Sequence, residues 1–376
     1  MTDLDRLLAR HPDIALAEPQ SGRPALVRRD QVLVGRDDVA AVTEAARRWL
    51  DGQEERPGGY VLRLRGGADP CGLTADLGTY GRGHAVAANH VIHAQPLWFS
   101  GPWGAPEPAA ALPPPSGTAA HRVTVAVPDT GIARHPWWAD RTWYAHLDEG
   151  ERDVADGDGD GRLDPAAGHG TFVAGVVLRY APTALLRPHR VLDGDGVGDE
   201  AGLLDTLAGL CRGTGVDVLC LASGCHTFDD RPSPLLASAI ARLRASSVVV
   251  ACAGNDGSDR PFWPAALKRV IAVAALDREQ RGRAKFSNNG WWVDACAPGT
   301  DVLSSFVSFA GEPRFDGYAR WSGTSFAAPA VAGVIADRCA TLGEDARTAA
   351  DLVLDPAAHG TVPGIGVPVG SVGVAA

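Results

Sequence analysis

Long hydrophobic runs are absent from this chain of 376 residues. It contains no stretch of 18 apolar residues and no basic amphipathic helix, so we expect no membrane role. The first 20 residues alternate charged residues with short apolar pairs and contain no continuous apolar segment of the kind found in a secretory signal. The sequence therefore predicts a protein that carries no signal peptide, although non-classical export stays open.

An excess of positive charge is also lacking, because 35 Lys and Arg stand against 45 Asp and Glu, for a net charge of −10. Nucleic-acid phosphates are bound by basic surfaces, so no nucleic-acid partner is expected. The 7 cysteines are odd in number and match no zinc-binding spacing. Most lie in apolar, small-residue segments such as 250–252. Reduced thiols and the missing signal predict a cytoplasmic protein.

The composition, 45% hydrophobic and 21% charged, is that of a globular protein able to bury a large core. Residues 1–100 contain short strands at 30–34 and 60–64 around a helical pattern at 37–50, which predicts a small α+β domain. Residues 101–120 are rich in Pro, Gly and Ala and are interpreted as an exposed linker. We predict a larger domain over 121–356 and a Gly- and Pro-rich tail over 357–376.

Continuous apolar segments at 123–127, 216–221, 248–252 and 270–274 have the pattern of strands buried on both faces. Helical segments at 172–180, 203–211 and 234–245 alternate with them. This alternation predicts an α/β fold with a doubly wound, mostly parallel sheet and helices on both faces. Functional sites in such folds form beyond the carboxyl ends of the strands.

Three segments at predicted strand or helix ends carry reactive side chains. Asp129 follows the strand at 123–127 in an Asp-Thr-Gly sequence, and His169 lies between two glycines before a small-residue helix. Ser325 follows Gly-Thr at the start of an Ala-rich helix that contains Pro329, which costs that helix a hydrogen bond. Each has an ordinary alternative interpretation, respectively a turn, a loop residue and a helix N-cap.

Together, and in the order Asp, His, Ser, these segments resemble the subtilisin-like serine peptidases, or subtilases. The motifs are Asp-Thr-Gly-Ile from 129, Gly-His-Gly-Thr-Phe-Val-Ala-Gly from 168 and Gly-Thr-Ser-Phe-Ala-Ala-Pro from 323. A fourth motif, Ala-Gly-Asn ending at Asn255, is similar to the segment that carries the family's oxyanion asparagine. The resemblance covers roughly residues 120–340. The α/β-hydrolases do not fit, because they need both Asp and His after the serine, and His359 is the only later histidine.

The resemblance implies a serine endopeptidase that acts on a peptide or protein through an acyl-enzyme on Ser325. His169 would be the general base, Asp129 would orient it, and Asn255 would bind the oxyanion. It also implies a set of substrate-binding residues: Leu221, Ala222, Ser223, Gly224, Ala253 and Gly254. No cofactor is required for this chemistry. Two alternatives remain open, a processing peptidase dedicated to one precursor and a catalytically silent peptide-binding module.

An acidic loop before His169 places Asp156, Asp158, Asp160 and Asp164 at the spacing of a calcium-binding loop. The twelfth position is Ala167, where an EF-hand has a bidentate Glu. The loop is therefore predicted either to hold a structural calcium ion or to be a solvated acidic loop.

Many subtilases carry an N-terminal propeptide of β-α-β character, and residues 1–100 share that character. They are predicted to act as an inhibitor of their own catalytic domain, or alternatively to be a permanent accessory domain. His90 and His93 have no carboxylate or cysteine near them in the sequence and are interpreted as structural residues.

Overall fold

The computed structural model describes residues 3–18, 22–79, 81–94, 104–213 and 215–370. The helices are α1 Asp3–Arg10, α2 Val39–Ala46, α3 Pro70–Leu77, α4 Thr142–Ala145, α5 His169–Tyr180, α6 Glu200–Arg212, α7 Pro234–Ala241, α8 Thr324–Leu342, α9 Ala346–Val353 and α10 Pro356–His359. The strands are β1 Ile14–Ala17, β2 Ala25–Val34, β3 Leu50–Arg56, β4 Gly59–Leu64, β5 Val86–His93, β6 Glu107–Pro108, β7 Thr124–Asp129, β8 Leu185–Arg190, β9 Val197–Asp199, β10 Val218–Leu221, β11 Val248–Cys252, β12 Val270–Leu276, β13 Ala295–Pro298, β14 Val302–Phe309, β15 Phe315–Trp321 and β16 Val367–Pro368.

The central sheet confirms the predicted α/β fold. Its seven strands follow the order β16-β13-β12-β11-β10-β7-β8, and every neighbouring pair is parallel. All residues of β10, β11 and β12 are buried, which is why these strands are continuously apolar. Asp129 ends β7, and the segments after β10 and β11 leave the sheet at the same edge.

Helix α8 crosses the sheet and fixes the position of Ser325. It packs against β10, β11, β12, β13 and α5. Small residues allow this close packing: a Cβ on Gly333 would lie 2.6 Å from Cβ of Tyr180 at the end of α5. Pro329 lies inside α8, as the sequence predicts. The helix is buried on most sides. Its close packing compensates for the free-energy cost of the hydrogen bond that the proline removes.

Residues 3–94, here called the N-terminal unit, form most of a second sheet. Its strand order is β3-β4-β2-β5-β9, with β1 beside β2. Its edge strand β9 belongs to the larger part of the chain and pairs antiparallel with β5. One face of this sheet packs on α2 and α3 through residues such as Val42 and Leu73. Residues Leu33, Val61 and Ile92 instead join the main core with α6 and α7.

The segments at either end of the larger domain contribute to its sheets. The described part of the predicted linker includes β6, which pairs antiparallel with β15. The prediction of a separate tail over 357–376 needs correction for its described part, because β16 extends the central sheet by pairing with β13. Valine at 367 buries its side chain there, so this Gly- and Pro-rich segment is held by backbone pairing and apolar contact.

Within the described ranges no single helix has the length and apolarity to cross a membrane. One bent pair, Thr324–Leu342 with Ala346–His359, meets the criteria of length and composition only when taken together.

Candidate active site

Asp129 is fully buried at the carboxyl end of β7. Its Oδ1 accepts hydrogen bonds from the Thr130 backbone N–H (2.8 Å) and from Nδ1 of His169 (2.7 Å). Its Oδ2 is buried, and no group in the described part of the chain forms a hydrogen bond with it. A carboxylate on Nδ1 leaves Nε2 of the imidazole as the nitrogen available for proton transfer.

The two glycines beside His169 are required by the approach of α5 to the sheet. Gly168 has φ +79°, and a Cβ there would lie 2.4 Å from the ring of Phe306. A Cβ on Gly170 would lie 2.2 Å from the backbone oxygen of Gly131. Any side chain at either position would push the start of α5 away from Asp129. The Gly-His-Gly sequence thus keeps the imidazole within hydrogen-bond distance of the carboxylate.

Aromatic side chains hold the His169 ring. Trp321 meets it edge-on at 5.5 Å between centroids, and Phe326 lies against it at 5.4 Å. Phe326 also packs on Phe172 at 4.4 Å. The imidazole Nε2 is buried and has no hydrogen-bond partner among the described residues. The ring is therefore fixed in orientation, with one nitrogen free to act on a ligand.

Ser325 lies in the first turn of α8, where backbone N–H groups lack partners within the helix. Its hydroxyl donates to the Ala222 carbonyl (2.9 Å) and approaches the Ala94 carbonyl at 3.4 Å. The structure thus joins Asp129 to His169 but records no hydrogen bond from Ser325 to His169. Such contacts are often loose or misaligned until a substrate is bound.

Thr324 sets the orientation of the Asn255 amide. Asn255 Oδ1 accepts from both the backbone N–H (2.8 Å) and the hydroxyl (2.9 Å) of Thr324. The Asn255 Nδ2 group is therefore left as the donor, and Asn255 and Ser325 line the same small cavity. Sequence analysis did not identify Thr324, although it lies within the Gly-Thr-Ser motif.

Asp153 links the segments that carry Asp129 and His169, and it was also missed. Its Oδ2 accepts from the hydroxyls of Thr130 (3.1 Å) and Thr171 (3.0 Å). Burial, together with the neighbouring charge of Asp129, raises the pKa of Asp153 to about 7 despite the lowering effect of its hydrogen bonds. No sequence motif marks Asp153, because it is partnered only through the folded loops.

An extended strand occupies the cleft beside Ser325. His93, at the end of β5, exchanges two backbone hydrogen bonds with Gly224 (3.0 and 3.2 Å), and the Ala94 N–H donates to Gly196 O (3.0 Å). The backbone of Gly224 thus pairs with this strand, and the Ala222 carbonyl accepts from the Ser325 hydroxyl. Substrate binding by these two of the six predicted residues stays a prediction. His93 lines the small cavity beside Ser325, and its interpretation as a structural residue stays a prediction.

The other predicted substrate-binding residues have different surroundings. Leu221 and Ser223 are buried at the end of β10. The backbone of Ala253 pairs internally with Val273 and Asn288, and the Gly254 N–H donates to the Thr324 hydroxyl (3.1 Å). His90 also has a carboxylate partner, Glu200 at 3.3 Å, which lies far away in the sequence.

Three of the four carboxylates predicted to bind calcium lie together. One oxygen each of Asp156, Asp158 and Asp164 falls within 4.8 Å of the others, whereas Asp160 lies outside this group. Asp156 accepts from three backbone N–H groups of its own loop, and Asp158 accepts from the Arg10 guanidinium at 2.9 Å. The Oδ1 of Asp160 accepts from the Arg162 N–H within the loop, which turns that carboxylate away.

Comparison with known proteins matches residues 120–343 to the model of the Subtilase family. A thermophilic serine proteinase from Bacillus sp. (strain AK1) is 37% identical over 178 residues, which cover 45% of this chain and 41% of that protein. Alkaline elastase YaB from Bacillus sp. (strain YaB) is 33% identical over 245 residues, 62% of this chain and 59% of that protein. This chain thus spans about two fifths to three fifths of the length of these two relatives.

The crystal structure of a lanthipeptide protease is similar in fold, with a TM-score of 0.53 and 23% identity over 66% of this chain and 85% of that one. The family match includes β7 with Asp129, the start of α5 with His169, Asn255 after β11 and Ser325 at the start of α8, and it excludes the N-terminal unit. By this match over more than half of its length, the chain belongs to the subtilase family.

Proposed function

We propose that this protein is a serine endopeptidase that hydrolyses peptide bonds through an acyl-enzyme on Ser325. The observation that carries the proposal is the buried Asp129–His169 hydrogen bond, which leaves Nε2 free at the sheet edge where α8 begins with Ser325. Membership of the subtilase family supports the same chemistry.

In the proposed reaction, the Ser325 hydroxyl leaves the Ala222 carbonyl and attacks the substrate carbonyl carbon while His169 Nε2 takes its proton. Asp129 stabilises the imidazolium through Nδ1. The carbonyl oxygen becomes an oxyanion, bound by Nδ2 of Asn255 and the Ser325 backbone N–H. The C–N bond then breaks, and His169 returns the proton to the leaving amine. A water molecule repeats the sequence on the acyl ester and releases Ser325.

A fluorophosphonate probe tests this assignment, since it reacts with activated serines. We expect the full-length protein to be labelled and to cleave peptides, and the Ser325→Ala variant to do neither while keeping its melting temperature. Ser322→Ala is a matched control, because that hydroxyl accepts from the Asp301 N–H and has no role in the reaction. A folded wild-type protein that is not labelled would contradict the proposal and favour a silent peptide-binding module.

We also propose that the N-terminal unit inhibits the site by occupying its cleft. The support is geometric: β5 pairs with β9 on one side and with Gly224 on the other, as an added strand does in peptide recognition. The chain described for this unit ends at Ala94, whose carbonyl oxygen lies 3.4 Å from Ser325 Oγ. A peptide substrate needs the same backbone positions, so it competes with the unit.

Ile92→Asp tests the inhibition, because Ile92 is buried in the core shared with the catalytic part. We expect the full-length variant to hydrolyse a reporter peptide at least about tenfold faster initially than wild type, since a buried unpaired carboxylate weakens this contact. Leu16→Asp, at an exposed position of the same unit, is the control. Equal rates for wild type and Ile92→Asp would exclude inhibition. Persistence of the intact chain at full activity would identify a permanent accessory domain.

Calcium binding by Asp156, Asp158 and Asp164 is a separate proposal. The donor set fits, since calcium prefers carboxylate and carbonyl oxygens, and these three carboxylates converge. The ion would stabilise the loop before His169 and take no part in the reaction. We expect added calcium to raise the melting temperature of wild type but not of Asp156→Asn. An equal response of both proteins would leave the loop as a solvated acidic segment.

For the location of the protein we propose a reducing compartment such as the cytoplasm. All seven cysteines lie in described ranges, and each is a free thiol. Five of them are buried in the core, where burial raises the pKa of Cys252, for example, to about 12. Thiol labelling of protein taken from a soluble cell fraction tests this, and disulfide-bonded protein found only outside the cell would contradict it.

A further inference from the structure

The space beside Ser325 is almost filled by the protein itself. A cavity of about 10 Å³, room for about one water molecule, is bounded by Ser325, Asn255, Gly254, Asp256 and Phe262. His93, Ala94 and Cys252 complete its lining. Because this cavity borders both the attacking hydroxyl and the Asn255 amide, it lies where the residue that supplies the attacked carbonyl directs its side chain.

The ring of Phe262 limits this cavity. A Cβ on Gly224 would lie 2.5 Å from ring carbon Cε1, and a Cβ on Gly254 would lie 3.0 Å from Cγ. The ring therefore lies against both backbone segments, one from β10 and one from β11. Phe262 itself is only 3% exposed. A bulky substrate side chain cannot enter between the two glycines without displacing this ring.

The position of Phe262 is fixed on both sides. The next residue, Trp263, exchanges two backbone hydrogen bonds with Cys225, each 2.8 Å long. The imidazoles of His93 and His226 meet the ring edge-on at 5.9 and 5.2 Å between centroids. Because the backbone is paired and the ring is packed, moving it aside costs both hydrogen bonds and contacts. On the catalytic side the cavity is thus limited by Phe262, whose backbone pairing and contact with His226 do not depend on the N-terminal unit.

Asp256 gives the same cavity a negative border. Its Oδ2 accepts from His226 Nε2 (3.1 Å), whose Nδ1 in turn donates to the Pro261 carbonyl (2.9 Å). Its Oδ1 is buried and lacks a hydrogen-bond partner within the ranges that the structure describes. Burial alone would raise the pKa of Asp256, but the hydrogen bond and charge of His226, with His93 nearby, lower it overall. An acidic substrate side chain would therefore meet a like charge.

We propose that Phe262 and Asp256 restrict cleavage to peptide bonds that follow a small, non-acidic residue such as glycine, alanine or serine. Phe262 sets the size limit and Asp256 excludes carboxylates. This inference rests on the proposed Ser325 chemistry, and it names the substrate class of that site.

The test compares kcat/KM for peptides that differ only in the residue before the cleaved bond: Ala, Ser, Leu, Phe and Glu. The full-length protein is used, and ratios within one preparation are compared, so that the fraction inhibited by the N-terminal unit cancels. We expect wild type to prefer Ala over Phe by at least about 100-fold, because excluded groups in a closed pocket cost 10–200-fold per methylene.

Phe262→Ala should reduce the preference for Ala over Phe at least about tenfold, and the milder Phe262→Leu should give an intermediate preference for Ala over Leu. Asp256→Asn should improve cleavage after Glu without changing the ratio of Ala to Phe. Phe315→Ala, which removes another buried ring that does not line the cavity, should keep the wild-type ratios.

Efficient wild-type cleavage after Phe or Leu, or an unchanged Ala-to-Phe ratio in a folded Phe262→Ala protein, would overturn the size limit. If labelling by the fluorophosphonate probe is retained in those experiments, the Ser325 assignment survives that result. A wild-type protein that is neither labelled nor active would overturn the catalytic proposal itself.

Discussion

The two sides of the cleft are held together in different ways. On the catalytic side, Asp129, His169 and Thr324 are almost completely buried, and their partners are other buried groups of the same domain. On the other side, the N-terminal unit contributes a backbone strand, the buried apolar residues Leu33, Val61 and Ile92, and a set of ion pairs with partly exposed side chains. Arg10 is 44% exposed in its pair with Asp158, and Arg56 is 34% exposed in its pair with Asp205.

This difference bears on the inhibition proposed for the N-terminal unit. Breaking a buried hydrogen-bonded pair leaves an unsatisfied group and costs several kcal/mol, whereas an exposed ion pair contributes about 0–1 kcal/mol. Strand pairing with β9 and Gly224 can be replaced by another extended peptide without loss of backbone hydrogen bonds. The catalytic side is thus preorganised, and the inhibition proposed for the N-terminal unit requires a substrate to displace both its strand and its buried apolar contacts.

The largest expected effect comes from a substitution that disables the catalytic side and leaves the N-terminal unit unchanged. We expect His169→Ala to lower kcat about 10⁶-fold, since the triad residues act as one unit. The N-terminal unit should still bind, because no ion pair at its interface involves His169. Single-turnover peptide hydrolysis and thermal melting measure the two quantities. The exposed His146 provides the control substitution, and a His169→Ala protein within tenfold of wild type would refute the assignment.

The next largest effect is expected for Asn255, where kcat and KM together distinguish oxyanion binding from substrate binding. Asn255→Ala should lower kcat about 100–1,000-fold with little change in KM, because the amide acts mainly on the developing negative charge. Thr324→Val should cause a smaller loss of the same kind, since it removes only one of the two hydrogen bonds that orient Asn255. A rise in KM at constant kcat would instead assign Asn255 to ground-state binding.

Asp153 provides a pH test of the catalytic side. Its pKa is raised to about 7 in the folded protein, so the folded state holds this proton more tightly than the unfolded chain does. That contribution to stability is complete below about pH 4 and is lost as the pH rises through 7. We expect the melting temperature of wild type to fall relative to that of Asp153→Asn between pH 4 and 8. A constant difference would show that this carboxyl does not titrate in that range.

His11 provides the smaller, matching test of the N-terminal unit. Its hydrogen bond to Asp195, with added attraction from Asp193, raises its pKa despite partial burial and the nearby Arg28. The stabilisation that protonated His11 provides is therefore fully present below pH 6.5, and it is lost as the pH rises through the pKa of His11 in the folded protein. We expect inhibition by the unit to weaken about fivefold over that rise, equivalent to about 1 kcal/mol. His11→Asn should remove this dependence, whereas substitution of the exposed His359 should not.

Much of the fold could be predicted because it depends on local sequence patterns. The segment predicted as a strand at 248–252 is β11 with the same limits, since five apolar residues in a row fit a strand buried on both faces. The helix predicted at 172–180 begins earlier, at His169, because its first turn contains glycines that carry no helical signal. The C-terminal strand β16 could not be predicted, because a strand of two residues is too short to show a periodic pattern.

The sequence by itself determined the fold class, the family resemblance and the positions of Asp129, His169, Asn255 and Ser325, because each lies in a motif whose glycines and small residues meet a local backbone requirement. Only the tertiary structure decided what surrounds them. Asp153, Thr324 and Phe262 act through partners far away in the chain, and His93 reaches the cleft only because β5 pairs with β9. Such contacts depend on how distant segments pack, and packing leaves no periodic pattern in the sequence.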